Sequence, residues 1–320
     1  MSKFNNNQLV SISQALFPYA EQRRQAFYEG MKLAHYTSAD AAYAIIDKEK
    51  IWMRRATAMN DFREIEYGRY VLENTLSSED GHNYQKFIQS LFPNYKFDIL
   101  EELRNIHTMA LSETYINCLS EHMPEEDTIG RLSMWRAYGG QTGVAIIVKP
   151  AAIQTQAAVG VISSPVYYPK EDTIKDQIIQ QIKSISSYID FIKHLEADFF
   201  YQIMRTCLKL AMISIKHRGF QEEREWRIAF EPMTNDLGLV TQITLSVRGA
   251  PQLIKLLNIG GLRASSRVRM GLDNIISHVI IGPTNYPEII RDAFIDLFKQ
   301  KGLENADNRV IISNIPLRYY

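Results

Sequence analysis

From residue 220 to 227 the chain reads Phe-Gln-Glu-Glu-Arg-Glu-Trp-Arg, and it continues Ile228-Ala229-Phe230. Side chains on a strand alternate between its two faces. Read as a strand from Glu223 onward, the run puts Glu223, Glu225 and Arg227 on one face. Trp226, Ile228 and Phe230 fall on the other. Two carboxylates and an arginine at the mouth of a core strand make a candidate site. A carboxylate held there can stabilise developing positive charge and accept a hydrogen bond from a sugar hydroxyl. The same pattern also describes a strand with one solvated, charged face.

Three further groups carry chemistry. In His35-Tyr36-Thr37 an imidazole can bond a ligand hydroxyl while Tyr36 offers a stacking face. The structural alternative is a histidine bonded to backbone. Met59-Asn60-Asp61, with Glu64 one turn later, reads as a helix-capping motif or as a loop that orders a ligand. Trp135 and Tyr138 stand three apart, so a helix places them on one face. They serve either as an aromatic stripe into the core or as a ligand platform, with Gly139 and Gly140 allowing close backbone approach.

Much standard chemistry is missing. The chain has no phosphate-cradling GxxxxGK[ST] loop, no dinucleotide glycine fingerprint, no HExxH and no GxSxG elbow. Its two cysteines, Cys118 and Cys207, match neither a disulfide framework nor a zinc pattern, so no metal is expected. Lys+Arg and Asp+Glu are both 36, so no global basic field announces nucleic acid. The first residues lack a signal-peptide pattern and no apolar run approaches membrane-spanning length. The expectation is a cytoplasmic protein without a membrane partner.

These groups need a scaffold. Residues 1–30 are expected to form an N-terminal helical extension, and 31–320 a single α+β domain. Short strands are expected at 32–36, 51–53 and 115–120, and buried ones at 143–148, 225–230 and 277–281, the last closed by Gly282-Pro283. Further strands are expected at 240–247 and 309–313. Helical patterns cover 39–47, 64–76 and 83–110, the last interrupted near Pro93, then 131–138 and 287–301. Residues 121–127 read as a loop. The apolar-periodic stretch at about 170–217 reads as a helical insertion of two helices.

Taken together, several pieces resemble a bacterial family known mainly as domain of unknown function 2971. They are His35-Tyr36-Thr37, Met59-Asn60-Asp61 with Glu64, Cys118-Leu119-Ser120-Glu121, and Trp135 to Gly139 followed by Gly143-Val144-Ala145-Ile146. The series continues with Phe220 to Arg227, Ile280-Ile281-Gly282-Pro283 and Ile315-Pro316-Leu317-Arg318. That family brings no established activity. A second likeness is to the ADP-ribosyltransferase core: a strand ending in His-Tyr-Thr, a helix, a middle strand carrying serine and a late strand carrying Glu-x-Glu. This resemblance implies a split β-sheet and NAD as substrate, with no metal. It makes His35 the ligand of an NAD ribose, Tyr36 or Tyr138 the nicotinamide-stacking ring, and Ser120 the middle-motif serine. Glu225 becomes the catalytic carboxylate and Glu223 the residue that orients the acceptor. Thr37, Trp135 and Arg227 complete the expected NAD-binding set. The position after His35 is tyrosine, where many members have glycine, and a Ser-Thr-Ser middle motif is absent. The implied activity is transfer of ADP-ribose to a protein or nucleic acid, in a toxin or phage-defence effector that a partner regulates. An NAD glycohydrolase, a non-catalytic nucleotide- or protein-binding module and a nuclease are the competing readings.

Overall fold

A computed structural model describes residues 15–58, 63–150, 160–170, 174–230, 240–247, 249–261 and 271–316. It is a mixed α+β structure that divides into two units. One comprises residues 1–25, 56–113 and 165–221, and the other 26–55, 114–164 and 222–320.

The first unit is helical. Its elements are α1 (Pro18–Arg24), then α3 (Glu64–Leu76), α4 (Glu79–Leu91) and α5 (Ile99–Glu113), and finally α6 (Lys175–Ser187), α7 (Ile189–Lys193) and α8 (Ala197–Ile213). The helical stretch expected at 170–217 thus holds three helices rather than two, because the chain breaks at Tyr188 as well as before Ala197. The break near Pro93 is ordered by glutamines of α4. Gln85 donates to Phe97 O at 2.5 Å and accepts from Ile99 N at 2.9 Å, and Gln89 donates to Tyr95 O. Backbone groups that leave a helix are thereby satisfied. Tyr201 of α8 stacks on Tyr95 and Phe97 at 4.5 and 4.4 Å. Buried Lys216 meets Glu64 at 2.8 Å, which compensates a charge that could not be buried alone. Asn60 and Asp61 lie outside the described residues.

The second unit is built on one sheet. Its strands are β1 (Lys32–Ser38), β2 (Lys50–Arg55), β3 (Tyr115–His122), β4 (Thr142–Val148), β5 (Val161–Pro165, whose last residue falls in the other unit), β6 (Glu225–Phe230), β7 (Val240–Val247), β8 (Ala250–Asn258), β9 (Ile276–Thr284) and β10 (Val310–Ile312). The order is β10-β9-β4-β1-β3-β2-β8-β7, and β6 lies on β3 with β5 beyond it. β10 and β9 are parallel, and the register-resolved pairs around β3 are antiparallel. Strands β5 and β8 were not foreseen. Val161-Ile-Ser-Ser-Pro165 is short and half polar, and β8 opens on Ala-Pro-Gln. β3 and β9 also run past their expected ends, to His122 and Thr284.

The sheet branches at β3. Along one edge, β1 pairs with residues 120–122 and β2 with residues 115–116, while β6 takes 115–120 along the other. One face carries the main core: Leu33, Val144, Ile146, Trp226, Ile228 and Phe230 against α2 (Ala39–Lys48) and α9 (Pro287–Gln300). Fully burying a residue such as Phe294 or Leu297 contributes about 1.5–3 kcal/mol. The opposite face is covered by Met134 and Trp135 over Ala34, Tyr36, Ala145, Ile147 and Ile280.

Candidate functional site

Register decides which of the candidate residues can meet. Ala34 pairs with Ser120, and Ser120 pairs with Glu225, so these side chains share the face of Tyr36. Arg227 lies opposite Cys118 on that same face. His35 pairs with Ile146 and shares the face of Leu33, as does Thr37. The expected partnership of His35 and Glu225 in one pocket is therefore corrected: the sheet separates them. The alternation within Glu225–Phe230 is as expected, and Trp226, Ile228 and Phe230 enter the core.

Glu223 is not on the strand. It ends a 3₁₀ turn, Arg218–Glu223, and Arg224 then takes φ +44° before β6 begins. A non-glycine residue in the left-handed region costs energy, so this corner is held by its surroundings. Ser120 Oγ donates to Glu223 O at 2.5 Å, and Glu121 N donates to Arg224 O at 2.8 Å. The Tyr138 hydroxyl donates to Glu223 Oε1 at 2.9 Å. Glu223 is half-buried.

Glu225 differs. It is 5% exposed and forms a two-pronged pair with Arg227, Nε to Oε1 at 2.7 Å and Nη2 to Oε2 at 3.1 Å. Bidentate geometry gives strong, oriented bonds, and the guanidinium compensates the charge. Glu225 is thus not an accessible, uncompensated carboxylate, and Arg227 is its counter-ion rather than a surface group.

The aromatic candidates are mostly structural. Trp135 is fully buried, and its Nε1 donates to Ile129 O at 3.0 Å. Its ring meets Tyr36 edge-on at 4.8 Å. It also lies against Gly130, which has φ +66°, and Gly282, where a Cβ would come within 2.6 Å of the ring. Of its two alternatives, the core reading describes Trp135. Tyr36 accepts a hydrogen bond from Arg131 N at 2.9 Å, and burial pushes its hydroxyl up to about 12. Neither ring presents a face for stacking. Only Tyr138 is half-buried; the chain widens into a broad helical turn at Trp135–Gly139, and Tyr138 packs at the margin of the cluster that buries Trp135.

Arg131 went unforeseen. Its guanidinium donates to Ser120 Oγ at 2.6 Å, to Glu121 O at 2.7 Å and to Glu222 O. It also faces the Glu126 carboxylate at 3.3 Å, and two of its partners are backbone carbonyls, which every residue carries, so the residue types do not announce it. Burial, with the like charge of Arg224 nearby, lowers its pKa below the ordinary value. Arg224 in turn reaches Glu126.

On the other face, His35 Nδ1 lies 3.0 Å from Cys118 O, in the stretch of β3 edge between the β1 and β2 pairings. A carbonyl only accepts, so Nδ1 carries the proton and Nε2 is an acceptor. Burial lowers its pKa, partly offset by that bond, and keeps the imidazole neutral.

A second cluster was also missed. His122, Asp127 and His278 offer nitrogen and carboxylate atoms that all lie within 4.8 Å of one another. Burial lowers both imidazoles, His278 to about 4, against the opposing pull of Asp127. A histidine depressed in the folded state binds its proton later than in the unfolded chain. Its stabilising contribution is full above the unfolded value of 6.5 and is lost as pH falls towards about 4. His278 alone should therefore remove about 3 kcal/mol across that window. Urea unfolding between pH 7 and 4 checks this, and His278→Gln should flatten the profile.

No helix among the described residues is long and apolar enough to cross a membrane. No match to a curated protein or to a solved structure was found. A family model does match, and it spans the segment that carries Trp135, β4 and the Glu223–Arg227 run that leads into β6. Over residues 134–228 the chain matches the model of the family described as "Protein of unknown function (DUF2971)".

Proposed function

We propose that the chain is an NAD-dependent ADP-ribosyltransferase that uses the face of β3 and β6 carrying Ser120. The carrying observation is the arrangement of three adjacent strands. β1 with His-Tyr-Thr, β3 with Ser120 and β6, which opens on Glu225 directly after the Glu223 corner, are consecutive neighbours, and Ser120 and Glu225 are register partners. The divergence of β1 and β2 along β3 supports a split sheet of the ADP-ribosyltransferase kind.

In this reading the roles of the two acids change. Glu223, half-buried and bonded to Tyr138, is the carboxylate that meets substrate. Glu225, buried and paired with Arg227, has a structural part. The bond from the ribose anomeric carbon to the nicotinamide nitrogen breaks, and nicotinamide leaves with the electron pair. Glu223 stabilises the oxocarbenium-like centre, and an acceptor nucleophile on protein or nucleic acid forms the new bond and releases its proton. Tyr138 positions Glu223. His35, on the far face, is outside this centre.

Glu223→Gln should lower nicotinamide release from NAD at least a hundredfold, about 3 kcal/mol, with cell extract as acceptor and an unchanged melting temperature. Full activity in that variant sinks the proposal. Calorimetric NAD binding without release, equal in both forms, would instead describe a non-catalytic nucleotide-binding module.

A further inference from the structure

We propose that His122, Asp127 and His278 form a binding site for a divalent transition-metal ion of the zinc class. The three come from the end of β3, the turn after it and β9. Two imidazoles and a carboxylate are the donor set such ions favour.

The argument begins with an unpartnered atom. His122 is fully buried, and its Nε2 lies 3.1 Å from Asp127 Oδ1. A carboxylate accepts, so in this arrangement Nε2 carries the proton. Nδ1 is then a buried lone pair with no hydrogen-bond partner. Buried polar atoms are rarely left so, and each one costs about 1–3 kcal/mol. The nearest acidic oxygen is Glu126 Oε2, at 3.8 Å. A lone pair facing a carboxylate is repelled, whereas an Nδ1–H would be attracted.

A metal on Nε2 reverses the pattern. Nε2 gives its lone pair to the ion, and the proton moves to Nδ1, where Glu126 can accept it. This is the carboxylate–histidine–metal relay that orients many metal-bound imidazoles. His278 follows the same logic. Its Nε2 lies 3.0 Å from Asp127 O and 3.8 Å from Asp127 Oδ1. Its Nδ1 lies 3.1 Å from Ser277 Oγ, an acceptor for the displaced proton. Asp127 is also arranged for the part. Lys32 holds Oδ2 at 2.7 Å, which leaves Oδ1 facing both Nε2 atoms.

Charge supports the geometry. Burial keeps both imidazoles neutral, as ligands must be. Burial alone would raise Asp127, but Lys32 outweighs it and keeps the carboxyl ionised. Asp127 is a third exposed, so the ion has an approach from solvent and water can complete its coordination. The spacing 122, 127, 278 matches no metal motif, and only the pairings of β3 with β1, β1 with β4 and β4 with β9 assemble it. The role is structural: the ion pins the 122–127 turn to β9.

The test uses the full chain stripped with chelator. Titration with Co²⁺ should give ligand-field absorption bands that saturate at one equivalent, and Zn²⁺ should displace it. His278→Gln and Asp127→Asn should each weaken Zn²⁺ binding at least tenfold in calorimetry. Absence of saturable binding by on the order of 100 μM Zn²⁺ overturns the proposal. So does binding that both variants leave unweakened. If a variant fails to fold, X-ray absorption of the zinc-loaded wild type decides: two-imidazole scattering supports the site, and its absence overturns it. Nicotinamide release is read separately, so this site and the NAD reading stand or fall independently.

Discussion

Arg227→Met should destabilise the chain by about 3–5 kcal/mol, because it leaves the Glu225 carboxylate buried without its counter-ion. The pair sits at i and i+2 of one buried strand, where apolar side chains of similar size can fill its space. Its removal as a unit should therefore be far milder. The double variant Glu225→Leu with Arg227→Met should recover most of the loss, since well-packed apolar groups often replace a buried ion pair without penalty. Urea unfolding midpoints for the two single variants and the double variant check this. A single-variant loss below about 1 kcal/mol would mean that water reaches the pair. The result also bears on activity measurements. A Glu225 variant that loses activity has also lost a buried partner, so Glu223, half-buried and bonded to Tyr138, gives the cleaner reading.

Trp135→Ala should cost about 3–5 kcal/mol, from lost burial and the cavity left behind. The indole fills the space between Gly130 and Gly282 and meets Tyr36, and its Nε1 bond to Ile129 O ties the 129–135 segment together. Gly130 and Gly282 lack the atoms to close that gap, so little collapse is available. Thermal unfolding of the variant is the check. A ligand platform would behave in the opposite way, with stability kept and ligand binding lost.

The contrast between these residues shows what the chain makes legible. Strand β6 could be read from its alternation, and Val240–Val247 from its β-branched residues, because burial on one face imposes a pattern on residue types. Glu223 was misplaced onto the strand because the corner turns on the backbone of Arg224, whose left-handed φ nothing in its type predicts. Arg131 escaped because it binds carbonyls, and carbonyls are not written in a sequence. His35 was legible as a polar residue on a core strand. Its face was not, since that depends on which residue of β4 it opposes. The candidate metal ligands were illegible for the same reason, as they meet only through the strand order.

Strand β3 has a consequence for the order in which the chain can fold. Its first edge takes β1 and β2, both made before it. Its second edge takes Glu225–Phe230, which emerges only after the helical residues 165–221. During synthesis the backbone from Tyr115 to Ser120 therefore presents an unpaired row of donors and acceptors while those helices are being made, a template for foreign strands. Arrest or cleavage of the chain between residues 122 and 225 yields an open-edged sheet prone to association, not a smaller stable version of the same fold.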